Sequence, residues 1–131
     1  MPPRPLSPHI GVYKFMYTMS LSILHRITGV AASFGFLAFV WWLMALATGP
    51  EAYARVMRAL GTPLGKLLLV GFTFSFVYHF CNGIRHLVWD TGRGLERRQA
   101  RASGATVVVV ALLLTGVAVW MGCRAFAGAM P

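Results

Sequence analysis

The sequence predicts an all-α membrane protein of three transmembrane helices, and three observations carry that prediction. Residues 27–50, 67–84 and 102–123 hold no charged side chain, and each run is near the roughly 20 residues that a spanning helix needs. Hydrophobic residues make up 57% of the 131 and charged residues 11%, whereas soluble domains carry about 25% charged residues. The cations stand at the ends of the apolar runs (Arg26, Lys66, Arg85, Arg101 and Arg124), where they suit anionic headgroups. The excess of 12 Lys+Arg over 3 Asp+Glu is therefore read as membrane anchoring, with no nucleic-acid partner.

Taken in order, residues 1–21 form an N-terminal segment at the inner face. Pro2, Pro3, Pro5 and Pro8 leave it no apolar stretch for a signal peptide, and it lacks the Arg- and Ser-rich character of an organellar presequence. A bacterial inner membrane is the expected location, ahead of a mitochondrial one. Residues 22–131 form the three-helix anchor. The first helix is expected over about 22–48. Gly49-Pro50 ends it, and Glu51 to Leu60 reads as a short surface helix closed by Gly61 and Pro63. The second helix covers about 63–90, with Arg85 and His86 able to sit inside it and reach inward or snorkel. The third covers about 104–125. Arg4, Lys14, Arg26, Arg93, Arg97, Arg98 and Arg101 fall on one side, and Arg55, Arg58, Lys66 and Arg124 on the other. The positive-inside rule then places the N-terminus in the cytoplasm and the C-terminus outside.

Helix two carries the most informative pattern. Gly71, Ser75, His79 and Gly83 form a small-or-polar ridge, with His86 seven residues beyond His79. Small residues at this spacing suit a helix-packing seam. A histidine in hydrocarbon, however, needs a hydrogen-bond partner or a metal, and intramembrane ionisable groups are usually functional. The ridge therefore fits a flat, bulky cofactor lying on the helix, with His79 as a haem ligand; a satisfied packing histidine is the alternative. His79 and His86 are about 10.5 Å apart along the axis and point the same way, so they cannot ligate one iron from opposite sides. His9 and His25 are expected near the inner surface, too shallow to meet His79. A second axial ligand should then come from another subunit.

Ser22-Ile23-Leu24-His25-Arg26-Ile27-Thr28-Gly29 opens helix one. Ser22 and Arg26 share a face, and the cluster is expected level with Arg85 and His86. Basic groups there could hold haem propionates, and a fixed guanidinium beside a hydroxyl suits a quinone carbonyl. The plainer readings are a lipid anchor for Arg26 and a helix cap for Ser22. Asp90 could pair with Arg85, Arg93 or Arg26. Cys81 and Cys123 lie in no CxxC or CxxCH pattern, so nothing supports covalent haem or a cysteine metal site.

Three stretches together resemble the large membrane-anchor (cytochrome b) subunit family of succinate dehydrogenase, the succinate:ubiquinone oxidoreductase of respiratory complex II. They are Arg4-Pro5-Leu6-Ser7-Pro8-His9-Ile10 with Tyr13, the Ser22–Gly29 stretch, and His79-x3-Gly83-Ile84-Arg85-His86-Leu87-x2-Asp90. The resemblance covers residues 4 to about 92. It implies a heterodimeric helix bundle with one haem b, ligated by His79 and by a small membrane-anchor subunit. It implies His25, His86 and Arg26 on the propionate side, and Ser22 and Arg26 at the ubiquinone site. It implies an iron–sulphur subunit docked on the N-terminal segment, with a flavoprotein subunit beyond it.

The chain holds no dinucleotide fingerprint and no cluster-binding cysteine set, so it is not by itself a catalyst of succinate oxidation. It is expected to act as a subunit without the catalytic core. The alternatives are an anchor of a fumarate reductase or other quinone-linked complex, and a membrane scaffold without haem.

Overall fold

The computed structural model describes residues 16–128, with side chains to Ala125. The motif around His9 and most of the N-terminal segment lie outside the described residues. Four helices follow one another: α1 (Tyr17–Thr48), α2 (Pro50–Gly61), α3 (Pro63–Asp90) and α4 (Arg97–Gly128). Three of them, α1, α3 and α4, are long and apolar enough to cross a membrane. This is the predicted all-α architecture, with the short connecting helix where Glu51 to Leu60 was expected.

Two helices begin earlier than the sequence suggests. α1 starts at Tyr17 rather than 22, and α4 at Arg97 rather than 104. The apolar runs mark where lipid begins, whereas Ser20, Arg97, Arg98 and Arg101 are compatible with helix beyond that boundary. Arginine in particular is a good helix former. The α3–α4 break is made instead by Gly92 and Gly94, at φ +76° and +75°. Those are left-handed values that glycine adopts without strain. The Trp89 indole donates to the Gly94 carbonyl at 3.0 Å and closes this turn.

The α1–α2–α3 corner follows from its residues. Gly49 adopts φ +133°, and Pro50 starts α2 at a position where a missing N–H costs nothing. Thr62 caps α3 by accepting from the Gly65 N–H at 3.0 Å, with Pro63 next. A side chain at Gly65 would run into the Ala59 carbonyl and the Leu60 backbone, so glycine lets α2 and α3 meet at this bend.

α3 lies between α1 and α4, packing on both, and runs antiparallel to each. His25 meets His79 near one end, while Phe36 meets Phe72 and Phe76 toward the other. The core is Tyr78, Val107 and Ala111, with Leu24, Phe74, Val77, Cys81 and Val108 around it. Tyr78 is fully buried, and its hydroxyl donates to the Leu21 carbonyl at 3.1 Å. That bond ties α1 to α3 at the level of the functional residues. Large apolar side chains such as Ile27, Phe34, Leu37, Leu68 and Leu113 face outward. An apolar exterior of this extent suits lipid or partner helices.

A histidine cluster beside an open apolar groove

His79 is half-buried on α3, and its ring meets His25 of α1. The expectation that His25 is too shallow to reach it is corrected: the two rings stack, with centroids 4.0 Å apart and planes 9° apart. The axial offset of α1 against α3, fixed where Tyr78 bonds the Leu21 carbonyl and where Gly29 admits the ring, brings His25 level with His79. His25 also lies 5.1 Å from His86, tilted by 45°. It therefore sits between the two α3 histidines, which are too far apart to touch each other.

The His79 ring is aimed by backbone. Its Nδ1 lies 3.0 Å from the His25 carbonyl oxygen. A carbonyl only accepts, so Nδ1 carries the proton and donates. The lone pair is thereby left on Nε2, which makes no hydrogen bond to any described residue. Metal-ligating histidines commonly donate their other ring N–H in this way. The buried Thr28 hydroxyl is shared between the Leu24 carbonyl at 2.8 Å and the His25 carbonyl at 3.0 Å. Gly29 supplies the space: a Cβ there would lie 2.7 Å from His79 Cε1 and 3.1 Å from Nδ1. Only a residue without a side chain accommodates the imidazole so close to α1.

An apolar groove of about 360 Å³ opens beside this ring, lined by His79, Phe80, Gly83, Ile84 and Leu87. The ridge on α3 thus divides. Ser75 is buried against the bundle, but a Cβ at Gly71 or Gly83 would meet nothing within 4 Å. At those two glycines the ridge is not a seam between described helices. It is an open face with a ligand-competent imidazole at its centre.

The remaining predicted residues fall in two groups. His86 belongs to the cluster: its Nε2 lies 3.4 Å from the Asn82 amide nitrogen, and Trp89 stands edge-on at 5.2 Å. His25 Nδ1 is buried without a hydrogen-bond partner among the described residues. A buried ring nitrogen in that condition is costly. Ser22 and Arg26 do not hydrogen-bond to this cluster. Ser22 is half-buried in the second turn of α1, so it is not the helix cap. Arg26 is exposed. Both lie on the helical face that carries Gly29, about 20° and 60° away from it around the axis.

Arg85 is not the partner of Asp90. It is buried, and it donates to Ser103 Oγ at 2.9 Å, Asn82 Oδ1 at 3.2 Å and the Ala100 carbonyl at 2.8 Å. Its guanidinium also lies over the Trp89 ring at 3.9 Å. It thus turns toward α4, while Asp90 is exposed at the helix end. The sequence reading also passed over Gly29, Thr28, Asn82 and Ser103. Asn82 had a visible signal, a side-chain amide inside an apolar run. The others are visible only once the helices are packed.

Residues 1–118 match the family described as succinate dehydrogenase/fumarate reductase transmembrane subunit. The chain is 45% identical over 112 residues to the succinate dehydrogenase cytochrome b556 subunit of Rickettsia typhi, covering 86% of this chain and 87% of that one. It is 39% identical over 111 residues to the cytochrome b556 subunit of Paracoccus denitrificans, covering 85% of each. The mitochondrial cytochrome b560 subunit of Mus musculus is 42% identical over 118 residues, covering 86% of this chain and 68% of the mouse protein.

Proposed function

The chain belongs to the succinate dehydrogenase/fumarate reductase transmembrane subunit family, a membrane component of an oxidoreductase complex, and from that membership we propose that it holds haem b and lines a ubiquinone site. The observation that carries this reading is the His79 imidazole, oriented through Nδ1 by the His25 carbonyl with Nε2 unengaged beside an open groove. The names of the relatives, cytochrome b556 and b560 subunits of succinate dehydrogenase, favour succinate oxidation over the fumarate-reducing alternative, and haem over a bare scaffold.

In this reading His79 would hold the haem iron through Nε2, with a small membrane-anchor subunit contributing the rest of the site. His25, His86 and Arg26 face the propionates. Haem b supplies a one-electron centre between the soluble donors and the membrane. Ser22 and Arg26 bind the quinone: the exposed guanidinium keeps its charge and directs donors at a carbonyl oxygen, while the hydroxyl can donate a second hydrogen bond. Residues 1–21 and the α3–α4 turn face the cytoplasm of a bacterial inner membrane, where the iron–sulphur and flavoprotein subunits dock.

The test is a reduced-minus-oxidised spectrum of the assembled complex, unaltered and with His79→Ala. The reading expects a b-type signal that the substitution abolishes. A signal that survives His79→Ala would remove His79 from the iron.

A further inference from the structure

Asn82 and Arg85 are buried polar residues for which the proposed cofactor and quinone roles give no account. Asn82 is 1% exposed and Arg85 7%. Their hydrogen bonds have a direction that chemistry dictates. A guanidinium has donors only, so the atom of Asn82 that meets Arg85 Nη1 at 3.2 Å is the amide oxygen. That settles the orientation of the amide and turns its NH2 toward His86 Nε2, 3.4 Å away. An NH2 group only donates, so His86 Nε2 must be the acceptor and the ring proton must sit on Nδ1. The guanidinium that starts this chain is itself held by Ser103 and Ala100 of α4.

We propose that Asn82 is a positioning residue for His86: anchored by Arg85, it selects the His86 tautomer whose Nδ1–H is free to donate to a carboxylate of the bound cofactor. This rests on the reading that His86 faces a haem propionate. The opposite tautomer would present a lone pair to an anion. A histidine with no such partner would populate both, so the relay from α4 through Arg85 and Asn82 gives the site a fixed donor without requiring a charged ring.

Asn82→Asp separates this role from simple support of the fold. Aspartate keeps an acceptor for Arg85, so the α3–α4 tie survives. It offers His86 an acceptor in place of a donor, which draws the proton to Nε2 and reverses the tautomer. The measurement is the haem midpoint potential of the assembled complex by spectroscopic redox titration, for the unaltered protein, Asn82→Asp, His86→Phe and the pair together. Losing an N–H donor to a propionate favours ferric haem. Asn82→Asp and His86→Phe should therefore each lower the potential, and Asn82→Asp should add nothing in the His86→Phe background. An unchanged potential in Asn82→Asp overturns the proposal. So does a shift that persists in full in the double variant, since that would be the carboxylate charge acting directly. Asn82→Leu, which removes the donor without adding charge, provides the same cycle should the aspartate variant fail to assemble. A complex with haem but no coupling refutes the role of Asn82 alone; an unaltered complex without haem refutes the cofactor reading beneath it.

Discussion

The imidazole of His79 lies flat against that of His25 at 4.0 Å while its Nδ1 donates to the carbonyl of the same residue. One residue of α1 thus meets the α3 histidine twice, through its ring and through its backbone. The backbone contact cannot be altered by changing the His25 side chain. Its geometry depends on how closely α1 approaches, which Gly29 permits.

Gly29→Ala is accordingly expected to disturb the His79 ring while helping the helix itself. Alanine exceeds glycine in helix propensity by about 1 kcal/mol, so weakened local helix would not explain a loss. The added methyl would lie 2.7 Å from His79 Cε1. Haem content per complex should fall, or the reduced α-band should shift, with α-helical circular dichroism unchanged. A native spectrum at full occupancy would show that the slot tolerates a methyl group.

Arg26→Leu should slow quinone reduction and leave dye-linked succinate oxidation intact. Arg26 is exposed, and surface substitutions commonly stay within about 0.5 kcal/mol. Assembly should therefore be normal. Paired assays with a ubiquinone analogue and an artificial dye on the same preparation make the comparison, and unaltered quinone kinetics would refute the role.

Arg85→Met should behave in the opposite way, as a loss of the fold. It removes three hydrogen bonds and leaves the buried Asn82 oxygen without a donor among the described residues. A cost of about 3 kcal/mol follows from breaking charge-assisted bonds at a buried site. Thermal unfolding of the detergent-solubilised complex should show a clear drop in midpoint, and Arg85→Lys should not fully restore it, because a point charge lacks the fork that reaches Asn82 and Ser103 together.

Tyr78→Phe isolates the α1–α3 tie. It deletes the hydroxyl that meets the Leu21 carbonyl and keeps the ring in the core. The expected loss is about 1 kcal/mol, read as a modest fall in thermal midpoint, with the haem spectrum unchanged because His79 and its carbonyl are untouched.

Much of this architecture could be read from residue order. The uncharged runs located the three long helices, and Gly49-Pro50, Gly61 and Pro63 placed the connecting helix within a residue at each end. The ends of α1 and α4 were misjudged because hydropathy records where lipid begins, whereas a helix continues wherever its residues tolerate one. The reach of His25 to His79 had no such local signal, since it depends on how α1 and α3 are offset along their axes.

Residue order specifies local properties: which segments are helical and apolar, and which side chains on them are titratable, small or polar. Those properties depend on residues a few positions apart. The packing of the helices specifies that His25 stacks on His79, that a backbone carbonyl fixes the protonated nitrogen of His79, and that Arg85 turns to α4 rather than to Asp90. Each of these joins residues on different helices. Their meeting depends on axial offset and rotation, which the packing around Tyr78 and the space at Gly29 set, and which no spacing along a single helix encodes.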